Sequence, residues 1–282
     1  MVKIRKGLMK DCKDLLEVYM GTRWTEDFTT VEQVKHEHRG VAFRNWGWLV
    51  AQERKKVVGE ILFRIEKNPA AGRIGIIRSL GVDVRFQKRG FATKLTRAAE
   101  KVMKSRKVGR IVCTTTPEAY NYWMKVDYHK RYWVMEITSP VSKIPASKSK
   151  KVSTRILEGV KHLPTSMKFS NIAYPGLLAE TVREIVILGR PGLMFEYLSG
   201  DSIVGVGAVV VGEDKTARFV ADVVKGTDNI AEIIIKRTAR AAAKLKAKTV
   251  SSLIPQEKLP WYMEMTKWSS EMHRNFPVTK LI

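Results

Sequence analysis

The passage Leu80–Ala92 constrains the fold more than any other part of the chain. It runs from an apolar strand through a basic, glycine-containing turn directly into an amphipathic helix. The first turn of a helix has backbone N–H groups without partners and a partial positive charge. Gly90 and Ala92 leave that backbone uncovered, and Lys88 and Arg89 add charge. The passage predicts an α/β protein with an anion-binding turn, and a plain solvated connection stays open as the alternative.

The charge of the chain indicates anionic partners. The 282 residues include 51 Lys and Arg but 28 Asp and Glu, which gives a formal net charge of +23. Residues 1–150 hold 32 of the basic and 15 of the acidic side chains, so most of the surplus lies in the first half. Phosphates, nucleic acid and acidic lipid are the expected partner classes.

The rest of the composition excludes several protein classes. The longest apolar stretch, Ile203–Val211, is much shorter than the roughly 20 residues that span a bilayer. The basic N-terminus lacks the apolar core of a secretory signal, so we expect a cytoplasmic protein. Cys12 and Cys113 are the two cysteines, and the five histidines form no ligand pattern. Neither a disulfide framework nor a metal site is predicted.

A linker divides the chain. Ser139–Ser153 is rich in proline, serine and lysine and has little apolar periodicity. We predict a first domain over residues 1–138, a linker over 139–153 and a second domain over 154–282. The first domain has the element order of a mixed, mostly antiparallel sheet flanked by helices. Its predicted strands are Lys3–Arg5, Trp46–Gln52, Val57–Ile65, Ile74–Val84, Ile111–Thr115 and Arg131–Ile137, and its helices begin after Asp11, at Phe91 and at Glu118.

The turn carries the pattern Gln87-x-x-Gly90-x-Ala92 after a Leu-x-Val strand. This closely resembles the acyl-coenzyme A (acyl-CoA) signature of the GNAT (GCN5-related) N-acetyltransferase superfamily, and the resemblance covers residues 2–138. It implies the acyl-CoA N-acyltransferase fold, with acetyl-CoA as co-substrate and no metal. It also implies that backbone groups of Val82 and Val84 hold the pantetheine arm. The other cofactor-binding positions that it implies are Gln87, Lys88, Arg89, Gly90, Phe91, Ala92, Thr93 and, at the family's Asn position, Thr116.

Residues 116–128 depart from the family's usual continuation, in which a tyrosine protonates the departing thiolate of coenzyme A. That tyrosine falls on Trp123, whose indole N–H donates a hydrogen bond but is not a useful acid. The family's glycine falls on Asp127. Tyr122 or Tyr120 could supply a phenol from a neighbouring position, and packing of these rings on the sheet edge is the alternative.

The resemblance also implies a base, commonly a glutamate on a central strand, that takes the proton of the attacking amine. Glu60, within the otherwise apolar strand Val57–Phe63, is the leading candidate, and a place on the polar face of that strand is the alternative. Glu118 is weaker, because a carboxylate in the first turn of a helix is favoured for capping. We interpret Cys113 as a buried structural thiol rather than an acylated nucleophile.

Residues 155–282 repeat this order of elements in weaker form, so we expect a degenerate tandem copy. Its strand-to-helix turn lacks the signature, and Asp228 there would cap the helix with a negative charge, so no coenzyme A is expected. The copy would complete the acceptor cleft or mediate dimerisation, and a carboxylate at Ile282 entering the first cleft as base is a further hypothesis. The predicted elements are Leu193–Leu198, Ser202–Val211, Thr216–Val224 and Thr249–Ile254 as strands, and Ile230–Leu245 and Leu259–His273 as helices.

The expected function is an N-acetyltransferase that moves an acetyl group from acetyl-CoA to a primary amine by direct attack in a ternary complex. Two alternatives stay open, a catalytically weak acyl-CoA-binding regulatory protein and an RNA-directed acetyltransferase. The acceptor is a small molecule or a protein amine, with nucleic acid as a candidate partner. Its identity is expected to depend on the irregular segment Gly21–Arg44 and on the second domain.

Overall fold

Two seven-stranded sheets organise the protein, with helices packed on both. The computed structural model describes residues 2–22, 28–39, 47–147, 149–158, 167–212 and 214–282. The predicted mixed, mostly antiparallel architecture, with a second domain of similar form, is confirmed.

The first sheet is built mainly from the N-terminal half. Two of its neighbouring strands pair in parallel and the others pair antiparallel. In order across the sheet, its strands are β1 (Val2–Lys6), β2 (Trp48–Glu53), β3 (Lys56–Asn68), β4 (Gly72–Val82), β5 (Arg110–Thr115), β14 (Phe276–Leu281) and β6 (His129–Lys130). The parallel pair is β4 with β5.

Helices cover both faces of this sheet, because alternate residues of its strands are apolar on each side. One apolar cluster joins Leu15 and Val18 to Trp48, and another joins Leu95 to Ile61. The first cluster lies under α1 (Cys12–Met20) and α2 (Val31–Glu37), and the second under α3 (Phe91–Ser105) and α4 (Pro117–Lys125).

The second sheet repeats this plan in the C-terminal half. Again a single parallel pair lies among antiparallel strands in the described residues. In order across the sheet, its strands are β13 (Ser269–Met272), β7 (Val134–Pro140), β12 (Thr249–Pro255), β11 (Ala217–Val223), β10 (Ser202–Val211), β9 (Gly192–Ser199) and β8 (Ser153–Ile156). Its helices are α5 (Leu177–Val186), α6 (Asp228–Arg240) and α7 (Leu259–Met265).

Each sheet is completed by a strand from the other half of the chain. The sequence predicts that Arg131–Ile137 closes the first sheet, but β7 pairs with β12 and β13 in the second sheet, so this prediction is wrong. In exchange, β14 pairs with β5, Phe276 lying opposite Thr115. The sheets therefore do not divide the chain at one point, and the two halves are tied together by backbone hydrogen bonds.

Some local predictions also differ from the structure. The final helix ends at Met265, and residues 269–272 form β13, because the edge of β7 is available to pair with them. Thr227 is the N-cap of α6 and Asp228 is its first residue, so Asp228 is not the cap. The short helix α2 and the helix α5 were not predicted.

No helix in the described ranges is long and apolar enough to cross a bilayer. Within the same ranges, no three His, Cys, Asp or Glu side chains come together as metal ligands. One of the five histidines, His162, lies outside the described residues.

Candidate active site

An opening lies at the carboxyl ends of β4 and β5. The two strands pair only over Ile74–Ile77 and 110–113 in the described structure, and beyond this β4 continues to Val82 beside β3. A β-bulge at the point of divergence leaves Arg78 without a partner residue on β3. Bulges frequently lie next to active sites, where they interrupt the ladder and re-aim side chains. The divergence therefore forms a slot with the backbone of β4 along one wall.

The turn after β4 presents backbone N–H groups at the end of this slot. Lys88 (φ 59°) and Gly90 (φ 80°) adopt left-handed conformations. Gly90 is the N-cap of α3, and no side chain caps that helix end. Among the described residues, no backbone carbonyl accepts a hydrogen bond from the N–H groups of residues 88–93. The turn thus has the geometry of a pyrophosphate site.

The side chains of the turn have two roles: Gln87 supports the backbone, and Arg89 and Lys88 supply positive charge. Gln87 Nε2 donates to the Val82 carbonyl across 3.1 Å and holds the turn against β4. The Arg89 guanidinium forms an ion pair of 2.6 Å with Glu53, which neutralises part of its charge. Lys88 is exposed and has no ion pair with any described carboxylate. It is therefore the cation of the turn that is most available to a phosphate.

The remaining implied cofactor positions flank the turn. Val84 is 54% exposed in the short 3-10 turn that follows β4. The Phe91 ring is buried beneath α3, so this residue can offer a ligand only its backbone N–H. Ala92 and Thr93 are half-buried in the first turn of the helix. This placement is compatible with the roles that the resemblance implies, and cofactor contacts stay a prediction.

Two tyrosines of α4 make contacts on different sides of that helix. Tyr122 Oη lies 2.7 Å from Thr96 Oγ1 on α3. Burial raises the pKa of Tyr122 to about 12, although hydrogen bonds with Thr96 and Thr93 oppose the rise. Tyr120 Oη instead accepts a hydrogen bond from the Lys130 N–H. Tyr122 is therefore the phenol beside the turn, and it is protonated at neutral pH, as a proton donor must be.

The two departures from the family's motif have different structural consequences. Asp127 has φ 71°, a left-handed conformation that glycine adopts readily and aspartate tolerates. Trp123 is buried, with its ring centroid 5.1 Å from that of Tyr122 and 5.0 Å from that of Tyr128. Asp127 thus preserves the backbone shape, whereas Trp123 puts a packing residue where the family has a phenol.

Glu118 has the environment of a helix-capping carboxylate. Thr116 is the N-cap of α4, and its side chain, the Glu118 N–H and the Arg274 guanidinium together lower the pKa of Glu118 to about 2. A carboxylate that is so weakly basic is a poor proton acceptor at neutral pH. The geometry supports the capping interpretation of Glu118.

Glu60 lies in a closed polar cluster between β3 and the helices α1 and α2. The Tyr19 hydroxyl donates to one carboxylate oxygen, and Trp48 Nε1 donates to the other across 2.9 Å. His38 Nε2 lies 3.0 Å from that second oxygen. Burial lowers the pKa of His38, but the charge and hydrogen bond of Glu60 more than offset this and raise it. Glu60 has no exposed surface, so it anchors these helices, and its role as a base stays a prediction.

Two further candidate catalytic groups, the Cys113 thiol and the Ile282 carboxylate, lie in positions that do not suit catalysis. Burial, with a contribution from the Glu180 carboxylate, strongly raises the pKa of Cys113, so this thiol is inert, as expected of a structural cysteine. The Ile282 N–H donates to the Gly109 carbonyl, and Leu281 lies opposite Arg110 at the start of β5. Residue 282 is therefore at the end of β5 remote from the slot, and the hypothesis that it supplies the base is wrong.

The match to known proteins decides the family of the first half. Residues 14–128 match the model of the acetyltransferase (GNAT) family. This segment is a GNAT domain. No curated protein matches the chain.

Solved structures extend the likeness of fold to the whole chain. A GCN5-related N-acetyltransferase from Anabaena variabilis aligns with a TM-score of 0.62 at 12% identity, over 100% of this chain and 73% of its own. One from Kribbella flavida aligns with a TM-score of 0.56 at 13% identity, over 100% and 71%. A tandem GNAT protein from the clavulanic acid biosynthesis pathway aligns with a TM-score of 0.54 at 10% identity, over 100% and 98%. The second half therefore has a GNAT-like fold as well.

The equivalent opening in the second half is filled by the chain itself. There β11 and β12 pair at Ala217–Arg218 and then diverge. The Lys168 N–H donates to the Val223 carbonyl of β11, and the Ala173 N–H donates to the Leu253 carbonyl of β12. The segment between these two contacts therefore crosses the gap that is open in the GNAT domain.

This filling segment is held by a buried acid, Asp222. Its Oδ1 accepts hydrogen bonds from Ser170 Oγ and Asn171 Nδ2, each across 3.2 Å, and from the Val223 N–H. Burial raises the pKa of Asp222 to about 6, although these hydrogen bonds oppose the rise. The folded protein thus binds a proton here more tightly than the unfolded chain does.

We expect Asp222→Asn to change the pH dependence of stability. Because the folded pKa is raised from 3.8 to about 6, Asp222 makes the fold less stable as pH rises through this window. The shift corresponds to about 3 kcal/mol. In urea unfolding between pH 4 and 7, the free energy of unfolding of the wild type should fall by about that amount relative to that of the variant. Parallel curves of unfolding free energy against pH for the two proteins would contradict the raised pKa of Asp222.

The same segment and α5 form a wall of the GNAT domain that the sequence did not reveal. Phe169 packs on the face of β4 that carries Ile74 and Ile76. Glu37, at the end of α2, forms buried ion pairs with Arg78 at the bulge and with Arg183 on α5. No local motif marks these residues, since they meet only after the two halves pack. Parts of Gly21–Arg44, namely 23–27 and 40–46, lie outside the described residues.

Proposed function

We propose that the GNAT domain transfers an acetyl group from acetyl-CoA to a primary amine by direct attack in a ternary complex. The observation that carries the proposal is the open turn, whose N–H groups at residues 88–93 and exposed Lys88 suit a pyrophosphate at the end of the slot. In this arrangement the pantetheine arm would follow β4 toward the bulge. The GNAT family match to the same residues supports it.

The protein's contribution would be orientation and electrostatic stabilisation. Alignment of the amine with the thioester removes most of the entropic cost of a reaction between two bound molecules. Backbone N–H groups of β4 that are free of the β3 ladder would polarise the thioester carbonyl. Tyr122, protonated and close to the turn, is the phenol best placed to return a proton to the sulfur.

The test is an acceptor panel with acetyl-CoA. Release of free thiol would be followed with an alkylamine, amino acids, a peptide with a free N-terminus and tRNA, each against an amine-free control. Amine-dependent release that mass spectrometry matches to an acetylated product supports the proposal. Binding of acetyl-CoA without turnover on any acceptor contradicts it and favours the second candidate, an acyl-CoA-binding regulatory protein, which the buried Trp123 at the family's tyrosine position would suit.

Exposed basic side chains form a stripe along α3. This stripe favours a third candidate function, an RNA-directed acetyltransferase. Lys94, Arg97, Lys101 and Lys104 follow one another at three- and four-residue spacing and are all exposed. Four such contacts to a single strand give a slope of about −3 for the logarithm of affinity against the logarithm of salt concentration.

Charge reversal in this stripe tests RNA binding directly. We expect K94E/K101E to flatten the salt slope of RNA binding by about half, measured by fluorescence anisotropy from 50 to 200 mM salt. K244E/K248E reverses two exposed lysines after α6 and should leave the slope unchanged. Equal effects of both double variants, or no binding by wild type, would remove this candidate.

A further inference from the structure

Helix α5 closes the slot on the side away from α3. Gly176, which precedes α5, lies so close to β4 that a Cβ there would meet the Ile76 side chain at 3.0 Å. Tyr174 lies close enough to Thr114 on β5, just past the last paired residues of β4 and β5, for Thr114 to lower its pKa, although burial raises that pKa overall. Tyr174 Oη in turn donates to Glu180 Oε2 across 3.4 Å. Glu180 therefore lies at the slot, on the face opposite the anion-binding turn.

Glu180 is the uncommitted acid of the charged cluster at this wall. Two neighbouring carboxylates, Glu37 and Glu184, are each held between two guanidinium groups. These ion pairs join Glu37 to Arg78 and Arg183, and Glu184 to Arg190 and Arg218. Within the described part of the chain, the long hydrogen bond from Tyr174 is the one that Glu180 accepts. The residue is half-buried, so part of its surface stays open to contact.

We propose that Glu180, supplied by the second half of the chain, binds the acceptor ammonium and takes its proton. This rests on the proposed acetyl transfer. The ammonium proton moves to the Glu180 carboxylate, and the amine nitrogen forms a bond to the thioester carbonyl carbon. The carbon–sulfur bond then breaks, and the sulfur leaves with the electron pair and takes a proton from Tyr122. The nitrogen gives up its second proton, which restores the Tyr122 phenol through solvent, and Glu180 releases the first proton to solvent. The products are an acetamide and the coenzyme A thiol.

The surroundings of Glu180 suit this role. Burial raises its pKa above the ordinary value, against the opposing charges of Arg78, Arg218 and Arg183. A carboxylate whose pKa is shifted toward neutrality is a better proton acceptor. Ser79 Oγ, beside the bulge, is buried and has no partner among the described groups, so it offers a further polar contact.

The charges also indicate the class of acceptor. Because the neighbouring guanidinium groups are engaged by carboxylates, the slot presents one free negative charge and no uncommitted cation among the described side chains of this cluster. This arrangement favours a primary ammonium with no acidic group next to it. The surplus of positive charge elsewhere on the surface would then serve binding of coenzyme A or another anion rather than recognition of the amine.

The test is Glu180→Gln, which keeps the shape and removes the proton acceptor. With the fastest amine of the acceptor panel, we expect kcat to fall by about 100-fold or more and the rising limb of the pH–rate profile to disappear. Affinity for acetyl-CoA, measured by calorimetry, should not change. Glu184→Gln, one turn along the same helix, should keep the pH limb. A limb that persists in Glu180→Gln overturns the proposal.

A second measurement separates this proposal from acetyl transfer itself. Butylammonium binding to the coenzyme A complex can be followed by saturation-transfer NMR without any turnover. We expect binding to wild type and to Glu184→Gln, and a loss of about tenfold or more in Glu180→Gln. If the amine panel is inert but this pattern holds, acetyl transfer fails and the ammonium site stands. Equal binding by all three proteins, or none by wild type, overturns the ammonium site.

Discussion

Gly90→Glu is expected to weaken coenzyme A binding by about 100-fold or more, because two or more hydrogen bonds to a charged pyrophosphate would be lost. A carboxylate at this position would cover the first turn of α3 and repel the phosphates that its N–H groups attract. A Cβ at Gly90 meets no atom within 4 Å, so the substitution does not clash with the fold. Calorimetric titration of coenzyme A into the purified variant measures the loss.

Gly72→Glu is the matched control for this experiment. Gly72 has φ 74°, close to the 80° of Gly90, and a Cβ there also meets nothing within 4 Å. Both substitutions thus add the same charge and the same backbone strain, of about 1–2 kcal/mol. Gly72 begins β4, whereas the turn follows the other end of that strand. Equal coenzyme A affinity in the two variants would refute the cofactor site.

Glu37→Gln should destabilise the protein by about 3–5 kcal/mol, because it removes the buried carboxylate that two partly buried guanidinium groups share. Glu37 is 4% exposed and lies between Arg78 and Arg183. Burial alone would raise the pKa of Glu37, but these two cations lower it to about 2. Denaturant unfolding of the full chain, with and without the substitution, gives the loss directly.

The pH dependence gives this prediction a second readout. The pKa of Glu37 in the folded protein lies below its ordinary 4.5. The stability that Glu37 contributes is therefore complete above pH 4.5 and is lost as pH falls toward 2. Glu32→Gln on the same helix is the control, because Glu32 is exposed and pairs with Lys35 at the surface. A surface pair of this kind contributes little to stability. If both variants lost a similarly small amount of unfolding free energy, Glu37 would not hold the two halves together.

The local part of this architecture could be predicted from the sequence. Strand, basic turn and helix at Leu80–Ala92 follow from short-range pattern, and the structure places β4, the turn and α3 there. The resemblance in sequence predicts the cofactor site in the same segment. Short-range rules suffice here because the turn's chemistry depends on backbone groups adjacent in the chain.

The long-range part could not be predicted. The exchange of β7 and β14 depends on pairing between residues more than 100 positions apart, which no periodicity encodes. For the same reason the sequence marks Glu60 as an acid in an apolar strand but does not show which side chains surround it. These are Tyr19, His38 and Trp48. Glu180 had no motif at all, and its position at the slot follows only from packing of the second half.

A crystal structure with bound coenzyme A tests the central claim most directly. We expect one molecule per chain, with the pyrophosphate on the N–H groups of residues 88–93 and the sulfur where β4 leaves β5, facing Glu180. The opening between β11 and β12 should still be crossed by the segment at Lys168–Ala173. Coenzyme A bound between β11 and β12, or bound away from the turn, would contradict the account.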